Sequence, residues 1–191
     1  MKVSKEQAAE NRERILDTAA KLFREHGFDG IGVADLMKSA GLTHGGFYGH
    51  FKSKEDLMAQ AATRALDESM HKWNDVVVAA GECGLDAFVD MYMTTEHRDN
   101  PGQGCVMAAL GAQSARQGAP VRQIFSEGLR RMLKGLAQVV PGRSEAARRE
   151  KAIVTFAGMV GAMVLSRAVD DESLSQEILQ VVADAARRAS A

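Results

Sequence analysis

The chain has 191 residues, 46% apolar and 26% charged, with a formal net charge of -1. That length buries a hydrophobic core without disulfide or metal staples, and the balance is that of an ordinary globular protein. The near-zero charge excludes a protein that coats nucleic acid through bulk basicity, and even the first sixty residues carry nine Lys/Arg against nine Asp/Glu.

In chain order, nearly every segment has helical period and none alternates like a half-buried strand. The polar start, MKVSKEQAAENRER, reads as helix rather than signal peptide, which makes a reducing cytoplasm the expected compartment. Ser4-x-x-Gln7 reads as a capping box. Ile15, Ala19, Leu22 and Phe23 then share a face of a helix that stops at Gly27. Val33, Leu36, Met37 and Ala40 predict a two-turn helix ended by Gly41. Thr43 is placed to cap a short third helix holding Phe47 and Phe51, and Ser53-x-x-Asp56 to cap a long one with Leu57, Ala61, Ala65, Met70 and Trp73.

Leu85, Phe88, Val89 and Tyr92 share the next face, and residues 98–104 read as a polar loop. A helix over 105–117 follows. Pro120 opens another with an apolar stripe from Val121 to Leu136. Ser144 caps a long helix to about Val169, whose apolar stretch from Ala152 is interrupted by Thr155, Ser166 and Arg167. It reads as a buried helix rather than a membrane span. Ser173-x-x-Gln176 caps the last helix. The fold expected is all-α with about nine helices. A unit of short elements covers 1–51 and longer helices cover 52–191.

Helix 33–40, the turn Gly41-Leu42-Thr43 and helix 44–50 form a helix-turn-helix, two helices meeting sharply across a short glycine-containing turn. Such a unit lays its second helix in the major groove. That second helix, Thr43-His44-Gly45-Gly46-Phe47-Tyr48-Gly49-His50-Phe51, holds three glycines, each costing roughly 1 kcal/mol in a helix against alanine. Small residues there let the backbone approach a partner surface, with Phe47 and Phe51 as inner anchors.

Phe23, Gly27-Phe28, Gly30, Val33, Asp35-Leu36, Ala40-Gly41-Leu42-Thr43, Gly45, Tyr48 and the run from His50 to Leu57 together resemble the TetR (tetracycline-repressor) family. The resemblance is dense over about thirty-five positions, and the helical remainder matches in architecture rather than motif. It implies phosphate contacts at Thr43, Tyr48, His50 and Lys54, and approach to base edges at His44, Gly45 and Gly46. It also implies a homodimer through the last two helices, where Ala157, Gly158, Gly161 and Ala162 put small residues on a face.

The sequence departs from the family pattern at Ile31 and Gly32, where members often carry Thr or Ser. It departs again at His44, Gly46 and Gly49, where larger side chains are usual. Direct base readout is therefore expected to be thin.

The resemblance further implies a repressor of a palindromic double-stranded DNA operator, released by a small apolar or electrophilic effector. Trp73, Phe88, Tyr92, Phe125 and Met159 are the pocket residues chosen. Cys105, at a helix start where a thiol is readily ionised, is either an electrophile sensor or a small buried hydrophobe. Neither cysteine lies in a CxxC pair or Cys/His cluster, so no metal is expected. No cofactor or membrane partner is expected either. His26, His71 and His97 read as surface residues. Common hydrolase, zinc-protease and nucleotide-binding motifs are missing, so an enzyme is not expected. A helical protein-binding dimer that has lost specific DNA binding is the alternative.

Overall fold

The computed structural model describes residues 4–188. Nine α-helices follow in order among them: α1 (Lys5–His26), α2 (Val33–Ser39), α3 (Lys54–Ala80), α4 (Gly84–Tyr92), α5 (Thr95–Asp99), α6 (Val106–Ser114), α7 (Ala119–Val139), α8 (Glu145–Ala168) and α9 (Glu172–Arg188). Short 3-10 segments cover His44–Gly49, Gly81–Cys83 and Pro101–Gln103. No strand occurs among the described residues.

Capping residues set many of these boundaries. Ser4 Oγ accepts from the Gln7 N–H at 3.1 Å, while the Gln7 amide turns outward to Glu10 and Asn11. Only half of that expected capping box is therefore made. At α3 Ser53 Oγ accepts from the Asp56 N–H at 3.1 Å, and Asp56 Oδ2 reaches back past the cap to accept from the Lys52 N–H at 3.0 Å. Ser144 Oγ caps α8 through the Ala147 N–H. Asp171, not Ser173, caps α9, because its Oδ1 accepts from the Leu174 N–H at 3.1 Å and the helix already begins at Glu172.

α3 is the axis of the fold. It packs against α1, α4, α6 and α7, while α8 packs on α7 and α9. Its buried face, from Leu57 through Ala61, Ala65 and Leu66 to Trp73, joins one continuous core that also takes in Phe23, Phe28, Phe47 and Phe51. α1 touches both α3 and the Pro101–Gln103 segment, so the short N-terminal elements and the longer helices share that core.

Three expectations change. Residues 98–104 are not an open loop: α5 and the 3-10 turn at Pro101–Gln103 occupy most of the segment, and Gly102 is buried against Glu25 of α1. The helix after Cys105 is shorter than expected, ending at Ser114. α8 is buried on one face only. It is long and apolar enough to cross a membrane, with mean hydropathy 1.3 over its best window, and 39% of that window is buried. Ile153, Val154, Val164 and Leu165 remain exposed on it, as do Leu174 and Val181 on α9.

Candidate functional site

α2 ends in a Schellman motif. The Gly41 N–H donates to Lys38 O at 2.9 Å and the Leu42 N–H to Met37 O at 2.8 Å, with Gly41 at φ +69°. Glycine takes that left-handed position without steric cost, and the chain turns sharply into Thr43. The next segment winds as 3-10 helix, with the Gly46 N–H donating to Thr43 O and the His50 N–H to Phe47 O. The expected short third helix is thus present, as a 3-10 helix. Three glycines and two aromatic anchors supply too little α-propensity to hold four-residue closure. Thr43 also makes no side-chain cap bond.

Phe47 is fully buried and stacks on Phe51 with ring centroids 5.8 Å apart, and the Arg12 guanidinium lies over the Phe51 ring. These contacts fix the inner side of the segment. The outer side presents Thr43, His44, Gly45 and Tyr48, the last 72% exposed. Gly46, His50 and Lys54 are half-buried beside them. A methyl at Gly45 or Gly49 would meet open space, so packing does not demand glycine there. Gly32 caps α2 with no side-chain bond. The seven positions expected to face DNA lie between Thr43 and Lys54, four of them within the 3-10 segment.

A second feature lies in the larger helices. A cavity of about 370 Å³ is lined by Trp73 of α3, Phe88, Met91 and Tyr92 of α4, Cys105 and Met132 of α7, with Ser69, Thr94 and His97 among its polar groups. Lys72 and Glu96 stand exposed at its edge. Trp73 and Phe88 rings approach to 4.9 Å, and Phe88 and Tyr92 to 5.7 Å. Of the pocket residues expected from sequence, Trp73, Phe88, Tyr92 and Cys105 meet here. Phe125 instead packs edge-on against Phe28, and Met159 is wholly enclosed in the core. Both are apolar side chains of correct helical phase whose helices turn them elsewhere.

His97 is the residue that sequence reasoning missed. It is not solvated: Nδ1 lies 2.7 Å from Tyr92 O, and the Cys105 N–H donates to Nε2 at 2.9 Å. An accepting Nε2 places the ring proton on Nδ1, which donates to the Tyr92 carbonyl. Burial lowers the His97 pKa, and the nearby Arg167 and Lys72 cations lower it further, against the raising effect of the Tyr92 carbonyl. Arg167 spends Nε on Arg98 O and Nη2 on His97 O. Only the spacing of His97 between Tyr92 and Cys105 hinted at this, and a loop reading hid it.

Two cavity-lining residues carry buried polar atoms with no hydrogen-bond partner, Trp73 Nε1 and Tyr92 Oη. Each such group costs roughly 1–3 kcal/mol. Burial holds the Tyr92 phenol protonated, its pKa raised well above the usual value, and the adjacent Cys105 thiol adds to this. Cys105 is 5% exposed and stands at the N-cap of α6. The preceding residue ties the cavity to α1, because Gly104 O accepts from Arg24 Nη1 at 3.2 Å.

Residues 15–61 match the family model described as bacterial regulatory proteins, tetR family. The chain is 40% identical over 57 residues to the HTH-type transcriptional regulator AcrR of Shigella flexneri, covering 30% of this chain and 26% of AcrR. It thus spans about a quarter of that relative. It is 24% identical over 184 residues to the HTH-type transcriptional regulator LmrA of Bacillus subtilis, covering 94% of this chain and 98% of LmrA. The reduced form of NemR from E. coli superposes with TM-score 0.79 at 21% identity, over 94% of this chain and 96% of that one, a likeness of fold.

The neutral His97 gives a pH signature. Its folded pKa lies below its unfolded value near 6.5, so between those values the unfolded chain binds more protons and stability rises with pH. The contribution is fully present above about 6.5 and is lost as pH falls toward the folded pKa. Thermal unfolding from pH 7.5 down to 5.5 (round values about the reference pKa) should show the parent losing more stability than His97→Gln. Parallel curves for the two proteins would remove this assignment.

Proposed function

We propose that this chain, which belongs to the tetR family of bacterial regulatory proteins, is a ligand-responsive repressor that binds a palindromic operator as a homodimer and is released by a small molecule. The observation that carries the reading is the outward display of Thr43, His44, Gly45 and Tyr48 on a segment whose inner side is clamped by Phe47 and Phe51. A 3-10 segment of six residues spans roughly 12 Å at about 2 Å per residue. Such a segment lies along the major groove with its outward residues toward the duplex. Residues 1–51 are the DNA-binding unit in this reading, and 52–191 the ligand-binding and dimerising one. The site of action is the cytoplasm, where the operator is.

Thr43, Tyr48, His50 and Lys54 hold phosphates; His44, Gly45 and Gly46 bring the chain close to base edges. With no long side chain at Gly45 or Gly46, groove shape carries much of the sequence preference. Titration of duplexes from the upstream region of its own gene should give affinity about a thousandfold or more above unrelated DNA, falling steeply with salt. Tyr48→Ala and Lys54→Ala should weaken binding to every duplex alike. Equal weak binding to all duplexes would favour instead a helical dimer that has lost specific recognition.

The dimer reading is supported by the exposed outer face of α8. Val154, Gly158, Gly161 and Leu165 recur at spacings of four, three and four, and Val181 lies exposed on α9. Small residues there admit close helix approach, although Ala162 itself points into its own chain, 3% exposed. Two copies joined through α8 and α9 would place their reading heads one helical turn apart, about 34–36 Å. Light scattering at micromolar concentration should give twice the chain mass of 20.6 kDa; a monomer would exclude this arrangement.

Effector release is supported by the cavity and its tie to α1 through Gly104 and Arg24. A ligand that binds one state of that tie better shifts the equilibrium between them. Cys105, lining the cavity at the start of α6, is the position where a thiol-reactive effector would act. Cys83 is exposed and would react as well, so the test belongs in a Cys83→Ser background. There iodoacetamide should release DNA, with sulfur displacing iodide and the thiol proton leaving to solvent. Adding Cys105→Ser should abolish that release. Unchanged release would leave Cys105 as a core residue.

A further inference from the structure

The chain between the reading segment and α3 is short. Phe51 is buried, and its N–H donates to Phe47 O at 3.0 Å. Ser53 caps α3, and Lys54 is the first residue of that helix. Lys52, between them, is exposed, and a side chain anchors its backbone: Asp56 Oδ2 accepts from the Lys52 N–H at 3.0 Å. The same carboxylate accepts from Gln60 Nε2 through Oδ1 at 2.8 Å. Gln60 Oε1 accepts in turn from Arg12 Nη2 of α1, and the Arg12 guanidinium lies 5.3 Å from the centre of the Phe51 ring. A run of contacts thus passes from α1 through Gln60 and Asp56 to the Lys52 backbone, and closes on Phe51 beside it. The Lys52 N–H does most to lower the Asp56 pKa, with Gln60 and the Lys52 and Arg12 cations adding to it against desolvation.

By charge alone Asp56 is badly placed. It is only partly buried, and a carboxylate close to a phosphate-holding lysine repels the duplex. Its hydrogen bonds give it a different use. We propose that Asp56 is a positioning residue for DNA binding: by holding the Lys52 N–H it fixes the turn from Phe51 to Lys54, and so aims Lys54 at the DNA backbone. This rests on the reading of Lys54 as phosphate-holding and adds the residue through which it acts. Gln60 and Arg12 keep the carboxylate in place from α3 and α1. A backbone set in advance leaves less to be ordered when the duplex arrives.

The sign of one substitution separates position from charge. Asp56→Ala removes an anion near phosphates, so charge alone predicts tighter binding. Loss of positioning predicts binding weaker by about tenfold or more on every duplex, with the slope of log affinity against log salt shallower by about one. Asp56→Asn keeps an oxygen for the Lys52 N–H without the charge, and should restore binding at least as tight as the parent's. In a Lys54→Ala background Asp56→Ala should cost much less, since the contact it aims is gone. The full chain is titrated at several salt concentrations, by fluorescence anisotropy, with a duplex from the upstream region of its own gene and with an unrelated duplex of equal length. Melting followed by circular dichroism shows which variants are folded at the assay temperature. If Asp56→Ala is not, Gln60→Leu takes its place: it frees the carboxylate from Arg12 with every charge kept, and should weaken binding in the same direction.

Parental or tighter binding by Asp56→Ala (or by Gln60→Leu where it stands in), Asp56→Asn as weak as Asp56→Ala, or a loss of equal size with and without Lys54 would each overturn the positioning role. The operator reading is scored separately. Equal affinity of the parent for both duplexes, with the variant pattern intact on each, overturns specific recognition and keeps the positioning role, because phosphate contacts carry no sequence information directly. No binding of the parent to either duplex overturns both.

Discussion

A buried guanidinium must be fully partnered, and the partners Arg24 finds tie α1 to α3 and to the turn before α6. Arg24 is 7% exposed. Its Nε donates to Ala20 O within α1, Nη1 to Gly104 O, and Nη2 to Glu68 of α3 at 3.2 Å. Burial pulls its pKa down and Glu68 opposes that shift. Removing one partner from such a group is costly, since the charge is then stranded in low dielectric. The cavity wall at Gly104 and Cys105 is therefore held to α1, and α1 packs on α2, which opens the helix-turn-helix. Gly102 adds to the closeness, because a Cβ there would collide with the Glu25 carboxylate.

The reading segment shows a different compromise. A Schellman turn and two stacked phenylalanines hold its ends and inner side, while its own backbone is weakly specified. Three glycines lower helical propensity, and the segment settles into 3-10 closure. Gly45 and Gly49 have open space where a Cβ would stand. Packing within the chain therefore does not account for glycine at these two positions.

The larger helices leave two further demands unmet inside one chain. α8 buries one side and exposes an apolar row on the other, more than a solitary soluble helix normally shows. Beside the cavity, Trp73 Nε1 and Tyr92 Oη are buried without a partner, although buried polar groups are almost always paired. Both features are costs in the isolated chain, and in the proposed reading a second copy on α8 and α9 relieves the first.

Much was legible in sequence because it depends on local chemistry. The helices, the glycine at φ +69° ending α2, the caps at Ser4, Ser53 and Ser144, and the anchors Phe47 and Phe51 all follow from neighbours within a few residues. The candidate DNA-facing positions all lie within twelve residues, Thr43 to Lys54, so their placement together was also local. The cavity was only partly legible. Trp73, Phe88, Tyr92 and Cys105 meet there, but Phe125 and Met159, of equally suitable type and phase, do not. His97 and Arg24 act through partners on other elements, Cys105 and Gly104, across a segment that reads as loop. Periodicity tells which side of a helix is apolar. It does not tell which neighbour covers that side, and that choice was made by the packing of α3, α4 and α7 around one another.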